Sequence, residues 1–187
     1  MVGWIVLAVV IVVVVWVVAL YNRLVRMKFR VRQAWSDVDV QLKRRYNLIP
    51  NLVETVKGYA AHEQETFTQV TEARARAMQV TAPGQAKGQA ENALQATLKS
   101  LFAVSERYPA LKANENFLGL QASLSKLEEE IQLSRRYYNA VVRDFNTYTE
   151  VFPSNLIANA FHFRQFDYFL LPSETEAEIR EVPGVKF

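Results

Sequence analysis

The chain has 187 residues, half of them apolar, with 22 Lys and Arg against 19 Asp and Glu and an isoelectric point near 9.2. That composition fits one domain with a modest core and excludes a mainly disordered chain. Cysteine is absent, which excludes disulfides, thiolate metal sites, cysteine nucleophiles and sulfur redox chemistry.

The first predicted element is VGWIVLAVVIVVVVWVVAL, residues 2–20, a run without a charged residue. As a helix it extends roughly 28 Å, about the thickness of a bilayer's hydrocarbon layer, so a transmembrane helix is expected. A cleaved signal peptide is the alternative, with Val17-Val18-Ala19 as a weak cleavage site. Against it, no Lys or Arg precedes the apolar run, where a signal peptide carries its positive region. Trp4, Trp16 and Tyr21 suit anchoring at the membrane interface.

Arg23, Arg26, Lys28, Arg30 and Arg32 follow directly, with no acidic residue before Asp37. The positive-inside rule then predicts a single-pass protein of the cell membrane, with its N-terminus outside and its body in the cytoplasm. The same cations can lie against anionic headgroups, at about 1 kcal/mol each, or serve only as the topology signal.

Past the membrane the sequence adopts a seven-residue apolar rhythm. Trp35, Leu42, Ile49, Val56, Val70 and Ala77 share one register, broken only by Glu63, and Val31, Val38, Leu52, Tyr59 and Ala73 accompany them. The pattern predicts an amphipathic helix packed in coiled-coil fashion. It passes Pro50 without a phase shift, so Pro50 is expected to kink a continuing helix or to start a second one end to end, with Asn47 as a possible cap. Lys43, Arg44 and Arg45 are adjacent on this helix and point about 100° apart. They read as solvated flanks of the seam, with Asp37, Asp39, Glu128, Glu129 and Glu130 as counterparts on neighbouring helices.

Pro83 and Gly84 mark a turn, after which Ala90, Leu94, Leu98, Leu101, Phe102 and Tyr108 have helical spacing up to Pro109. The longest seam comes next: Phe117, Leu124, Ile131, Tyr138, Phe145 and Phe152 recur every seven residues until Pro153. Within it RRYYN (135–139) echoes the earlier RRYN. Ser154 is placed to cap a short last helix, FRQFDYFLLP adds an aromatic latch, and the acidic stretch 171–187 reads as a flexible tail.

No period-two pattern persists, so the body, residues 21–170, is predicted to be all-α. Gly-rich phosphate loops and GxSxG elbows are absent. His62-Glu63 begins a zinc-protease motif, but Thr66 stands where the second His is needed, and His162 between Phe161 and Phe163 suits aromatic packing. No enzyme activity, cofactor, metal or nucleic-acid partner is expected.

Four stretches then carry a family resemblance: AWSDVDVQLKRRYNLIPNLVETVKGYAAHE (34–63), YPALKANENFLGLQASL (108–124), EEEIQLSRRYYNAVVRDFN (128–146) and FPSNLIANAFHF (152–163). Behind an N-terminal span, they resemble the bacterial LemA family over nearly the whole chain to about residue 170. The resemblance implies an N-terminally anchored antiparallel helical bundle, in a family mostly without a defined biochemical activity and without catalytic residues to transfer. For the branch that builds magnetosome membranes it implies a membrane-organising role.

Two functions fit these readings. One is a scaffold that self-associates and organises or shapes the membrane. The other is a monomeric adaptor that recruits a protein partner to the bilayer. Length favours the first. A helix continuous from Tyr21 to Val80 would run roughly 90 Å, against about 35 Å for 86–108 and about 60 Å for 112–152. Val31, Trp35, Val38 and Leu42 would then lack partners within the chain and form a homo-oligomer interface.

Overall fold

A computed structural model describes residues 1–170, and all of their regular structure is helical. The tail expected over 171–187 lies outside the described residues. In chain order the helices are α1 (Val2–Lys57), α2 (Gln64–Gln79), α3 (Gln85–Ser105), α4 (Pro109–Lys112), α5 (Glu115–Glu150) and α6 (Ser154–Ala160).

Helix α1 has 56 residues, with Pro50 inside it. Its valine-rich first part is long and apolar enough to cross a membrane, and its side chains are open to the surroundings. A helix is the form in which such a segment satisfies every backbone group internally. The helix stops at Lys57 rather than near Val80. The break follows Gly58, where the amides of Tyr59 and Ala60 close the last turn onto Val56 O at 3.0 and 2.9 Å. Glu63, the one break in the seven-residue register, lies in the connection that follows.

The chain forms two compact units. The first comprises Met1–Ser36 and Arg136–Phe166. In it α1 and α5 run antiparallel: Arg23 lies over the Tyr148 ring at 4.6 Å, and further along the Trp35 and Tyr138 rings are 5.3 Å apart. Its core consists of Leu24, Val31 and Ala34 from α1, Tyr138, Val142 and Phe145 from α5, and Ala158 from α6. Ser154 does not cap α6; its hydroxyl donates back to Tyr148 O (2.6 Å) and Val151 O (3.0 Å), satisfying carbonyls at the end of α5. His162 is exposed rather than packed among the phenylalanines. It has φ 55°, and the amides of His162 and Phe163 bond Asn159 O and Ala158 O, so it closes α6 in the left-handed conformation. Past it, Asn146 clasps the backbone of Phe166 through two bonds of 2.9 and 3.0 Å, and the Phe166 ring meets Phe145 at 5.2 Å.

The second unit comprises Asp37–Arg135 and the chain from Asp167. Here α2 folds back on the end of α1, since Arg74 Nε reaches Tyr46 O at 2.8 Å. Asn114 caps α5 by accepting from Phe117 N at 3.0 Å. Leu42, Ile49, Val56, Val70 and Ala77 are all buried, as are Leu94, Leu98 and Leu101 of α3 and Phe117, Leu124 and Ile131 of α5.

The expectation of an unpartnered seam is therefore overturned. Val31, Val38 and Leu42 are at most 1 % exposed within the single chain, and Trp35 is half-buried against Tyr138. The reason is length. With the break at Lys57, the part of α1 beyond residue 20 has about 37 residues, and α5 has 36, so both run roughly 55 Å.

Candidate functional site

Two polar features stand out from the apolar packing. The first lies in the second unit and is buried except at its Glu128 edge. Arg45 is 3 % exposed, Lys87 2 % and Glu91 4 %. This corrects the reading of Arg45 as a solvated flank; Lys43 and Arg44 do lie outside, with Lys43 paired to Asp39 at 2.6 Å. Arg45 bonds Glu91 with Nη2 and both oxygens of the half-buried Glu128 with Nη1, at 2.9 and 3.2 Å. Lys87 Nζ donates to the Tyr46 hydroxyl (2.9 Å) and to Ala77 O (2.8 Å) and pairs with Glu91 at 2.9 Å. The Tyr46 hydroxyl in turn donates to Glu91.

The electrostatics follow from this arrangement. Burial works against the Arg45 charge, but Glu128 and Glu91 outweigh it and raise its pKa. Burial, reinforced by Glu91, pushes the Tyr46 phenol well above its ordinary value, so it stays neutral and can donate. A buried network of this type fixes which helices meet and at what height, even though Arg45 Nε is buried without a hydrogen-bond partner among the described residues. Lys87 and Glu91 are four residues apart, a spacing that solvated helix pairs share. Only the burial of α3 sets this pair apart.

The second feature lies in the first unit. Arg23, Arg26 and Arg30 sit on one side of α1 and, with Arg143 and Tyr148 of α5, line an open groove of about 730 Å³. Of the five cations that follow the apolar segment, these three are brought together. Lys28 is turned toward the Phe163 ring (5.8 Å) and Arg32 toward Phe29 (5.8 Å). None of the five is within 4.0 Å of a carboxylate among the described residues, whereas Arg143 has its neighbour Asp144 at 3.5 Å. Four guanidinium groups thus face one cleft with a single carboxylate beside them, a donor set suited to phosphate. Sequence reasoning missed Arg143, because only the pairing of α5 with α1 places it there. Among the described residues no group of three His, Cys, Asp or Glu side chains gathers as a metal site would require.

Comparison with known proteins places this geometry in context. The LemA family profile matches residues 34–187. Protein LemA of Metamycoplasma hominis is 28% identical over 141 residues, covering 73% of this chain and 63% of that protein. Magnetosome protein MamQ 2 of Paramagnetospirillum magneticum is 25% identical over 174 residues, covering 80% of this chain and 64% of the relative. Magnetosome protein MamQ of Magnetospirillum gryphiswaldense is 23% identical over the same length, with the same coverage. The chain spans a little under two thirds of the length of these relatives.

Proposed function

The chain belongs to the LemA family, and from that premise we propose that it is a non-enzymatic, membrane-anchored helical scaffold that self-associates and organises or shapes the bilayer. The observation that carries this reading is the continuity of α1. Helix α1 begins as the apolar segment and runs without a linker into the packed core of the first unit, where Leu24, Val31 and Ala34 are buried. A flexible tether would let a domain sample many orientations, whereas a shared helix holds it at the membrane in a restricted one. Chains already confined to two dimensions associate at low further entropic cost. The similarity to magnetosome proteins supports the same reading.

The interface is not the buried seam of Val31, Trp35, Val38 and Leu42. Phe29, exposed on α1 in the first unit, and the exposed apolar surface of the span itself offer a contact in its place. The test is energy transfer between donor- and acceptor-labelled full-length chains in vesicles, combined with light scattering in detergent. Transfer that persists as lipid dilutes the protein, with a mass above one chain, is expected. A monomer over a wide concentration range in both settings overturns self-association.

That outcome would leave the adaptor reading, which one observation favours. Between α2 and α3 runs a groove of about 400 Å³ with Ala73, Ala86, Ala90 and Ala93 in its walls. Small side chains of this kind let another helix approach closely.

A further inference from the structure

We propose that the end of the α1–α5 pair nearest the span is a second membrane contact, in which the arginine groove takes the phosphates of anionic phospholipids and Phe152, Leu156 and Phe161 enter the leaflet beside it. The inference rests on the reading of residues 2–20 as a membrane span and concerns the first unit alone.

Position comes first. Arg23 and Arg30 lie about 4.5 and 15 Å along the helix past Leu20, a range that matches the headgroup layer next to the hydrocarbon. Because α5 is antiparallel, its last turn arrives at the same depth. Tyr148 and Val151 line the groove with Arg23, and Tyr21, the first residue past the span, touches Phe161 at 4.8 Å and Phe163 at 5.9 Å. The turn between α5 and α6 therefore lies at the membrane surface.

The apolar groups at this turn point to the same partner. Phe117, Leu124, Ile131, Tyr138 and Phe145 of the α5 seam are buried, yet Phe152, next in register, is 79 % exposed. Leu156 and Phe161 follow it at 58 % and 54 %. Water is a poor surrounding for three large side chains on so short a stretch, whereas the headgroup–acyl boundary suits aromatic and aliphatic groups beside cations. Charge completes the match. Arg23, Arg26 and Arg30 repel one another and Arg143 with no carboxylate of their own among the described residues, and planar guanidinium forks bind phosphate oxygens two at a time. A protein partner would need a dense acidic patch within the headgroup layer; the leaflet supplies phosphates there already.

The native chain has no cysteine, so single labels can be placed in the full-length protein. Nitroxides at Leu156→Cys, Val40→Cys and Val12→Cys are compared in nanodiscs of phosphatidylcholine with 30% phosphatidylglycerol. The label at 156 is expected to be accessible to oxygen and shielded from a water-soluble nickel complex, and the label at 40 the reverse. A label at 156 as open to nickel as that at 40 overturns the proposal. Water exposure at 12 as well would instead sink the span reading on which it rests.

Lipid selection is the second arm. Phosphatidylglycerol retained on the detergent-purified chain, relative to phosphatidylcholine, is measured for the wild type, for Arg23→Gln/Arg26→Gln/Arg30→Gln/Arg143→Gln and for the same four positions changed to Lys. About fivefold loss of preference per arginine is expected for the Gln variant, with the Lys variant largely retaining it and millimolar inorganic phosphate failing to displace the lipid. Equal preference in wild type and Gln variant, with helicity intact by circular dichroism, overturns the role of the groove. Misfolding of the Gln variant leaves the Lys variant and the Leu156 label to decide.

Discussion

Arg45 and Glu128 are 83 residues apart in the chain, yet two bonds of 2.9 and 3.2 Å join one guanidinium nitrogen to both carboxylate oxygens. The contact brings α1 and α5 together at one height in the second unit. The inner half of the same cluster, where Arg45 and Lys87 converge on Glu91, is sealed from water. These two carboxylates should respond very differently to removal. Glu91→Leu strands two buried cations and is expected to destabilise the fold by about 3–5 kcal/mol. Glu128→Gln, at a half-buried position, should cost about 1 kcal/mol. Urea unfolding of the full chain in detergent, followed by circular dichroism, checks the difference; equal costs would refute the closed network.

Tyr46 gives the network a pH signature. Burial, then Glu91, raises its folded pKa above the ordinary value of 10. For a group raised in this sense the stabilisation is fully present below the unfolded pKa and is lost as pH rises above it. Unfolding free energy should therefore fall above about pH 10 in the wild type. Tyr46→Phe should lose that component of the alkaline fall and be less stable near pH 7 by about 1–2 kcal/mol. Parallel alkaline limbs in the two proteins would contradict the assignment.

Orientation in the membrane is tested by reporters. The five cations from Arg23 to Arg32 predict a C-terminus in the cytoplasm. A fluorescent protein fused after Phe187 is expected to be bright, and an alkaline phosphatase fused there inactive. Phosphatase activity would reverse the topology.

Pro50 has no N–H, so the carbonyl four residues earlier, Tyr46 O, has no α-helical donor. Arg74 Nε of α2 donates to that oxygen at 2.8 Å. Arg74→Leu should cost about 1–3 kcal/mol in the wild type. In a Pro50→Ala background the new amide bonds Tyr46 O, and the same substitution should cost measurably less. Additive costs in this double-mutant cycle would rule out the coupling. Spin labels at Gln41 and Lys57 should be separated by roughly 24 Å, as in one helix through Pro50. A separation under half that would show the chain folding back.

The seven-residue registers located most of the core before any coordinates, because apolar side chains at that spacing have only one face to bury. Leu42, Ile49 and Val56 in α1, Val70 and Ala77 in α2, and the α5 series from Phe117 to Phe145 all lie inside. Even the break at Glu63 marked a real connection. The polar sites were less legible. Arg45 sits beside the seam by periodicity, and its burial depends on Glu91, which is 46 residues away. Arg143 joins three arginines of α1 only through antiparallel pairing. Hydrophobic spacing encodes which face turns inward; it carries no record of which charge waits on the helix opposite. The end of α1 at Gly58 was overlooked because the register continues into α2, so phase continuity masked a change of direction.

The proline in α1 also works as an address. Along an uninterrupted helix every interior carbonyl is already engaged, and a neighbouring helix could slide by one turn without losing a specific polar contact. Removing one N–H leaves one acceptor open at one level, and Arg74 of α2 reaches it. A slip of α2 by a turn would leave that oxygen vacant and the guanidinium unanswered, at about 1–3 kcal/mol, which is roughly fivefold to a hundredfold in population. A residue usually counted as a defect in a helix thus serves as a detent, selecting one stop among several that the apolar surfaces alone would accept.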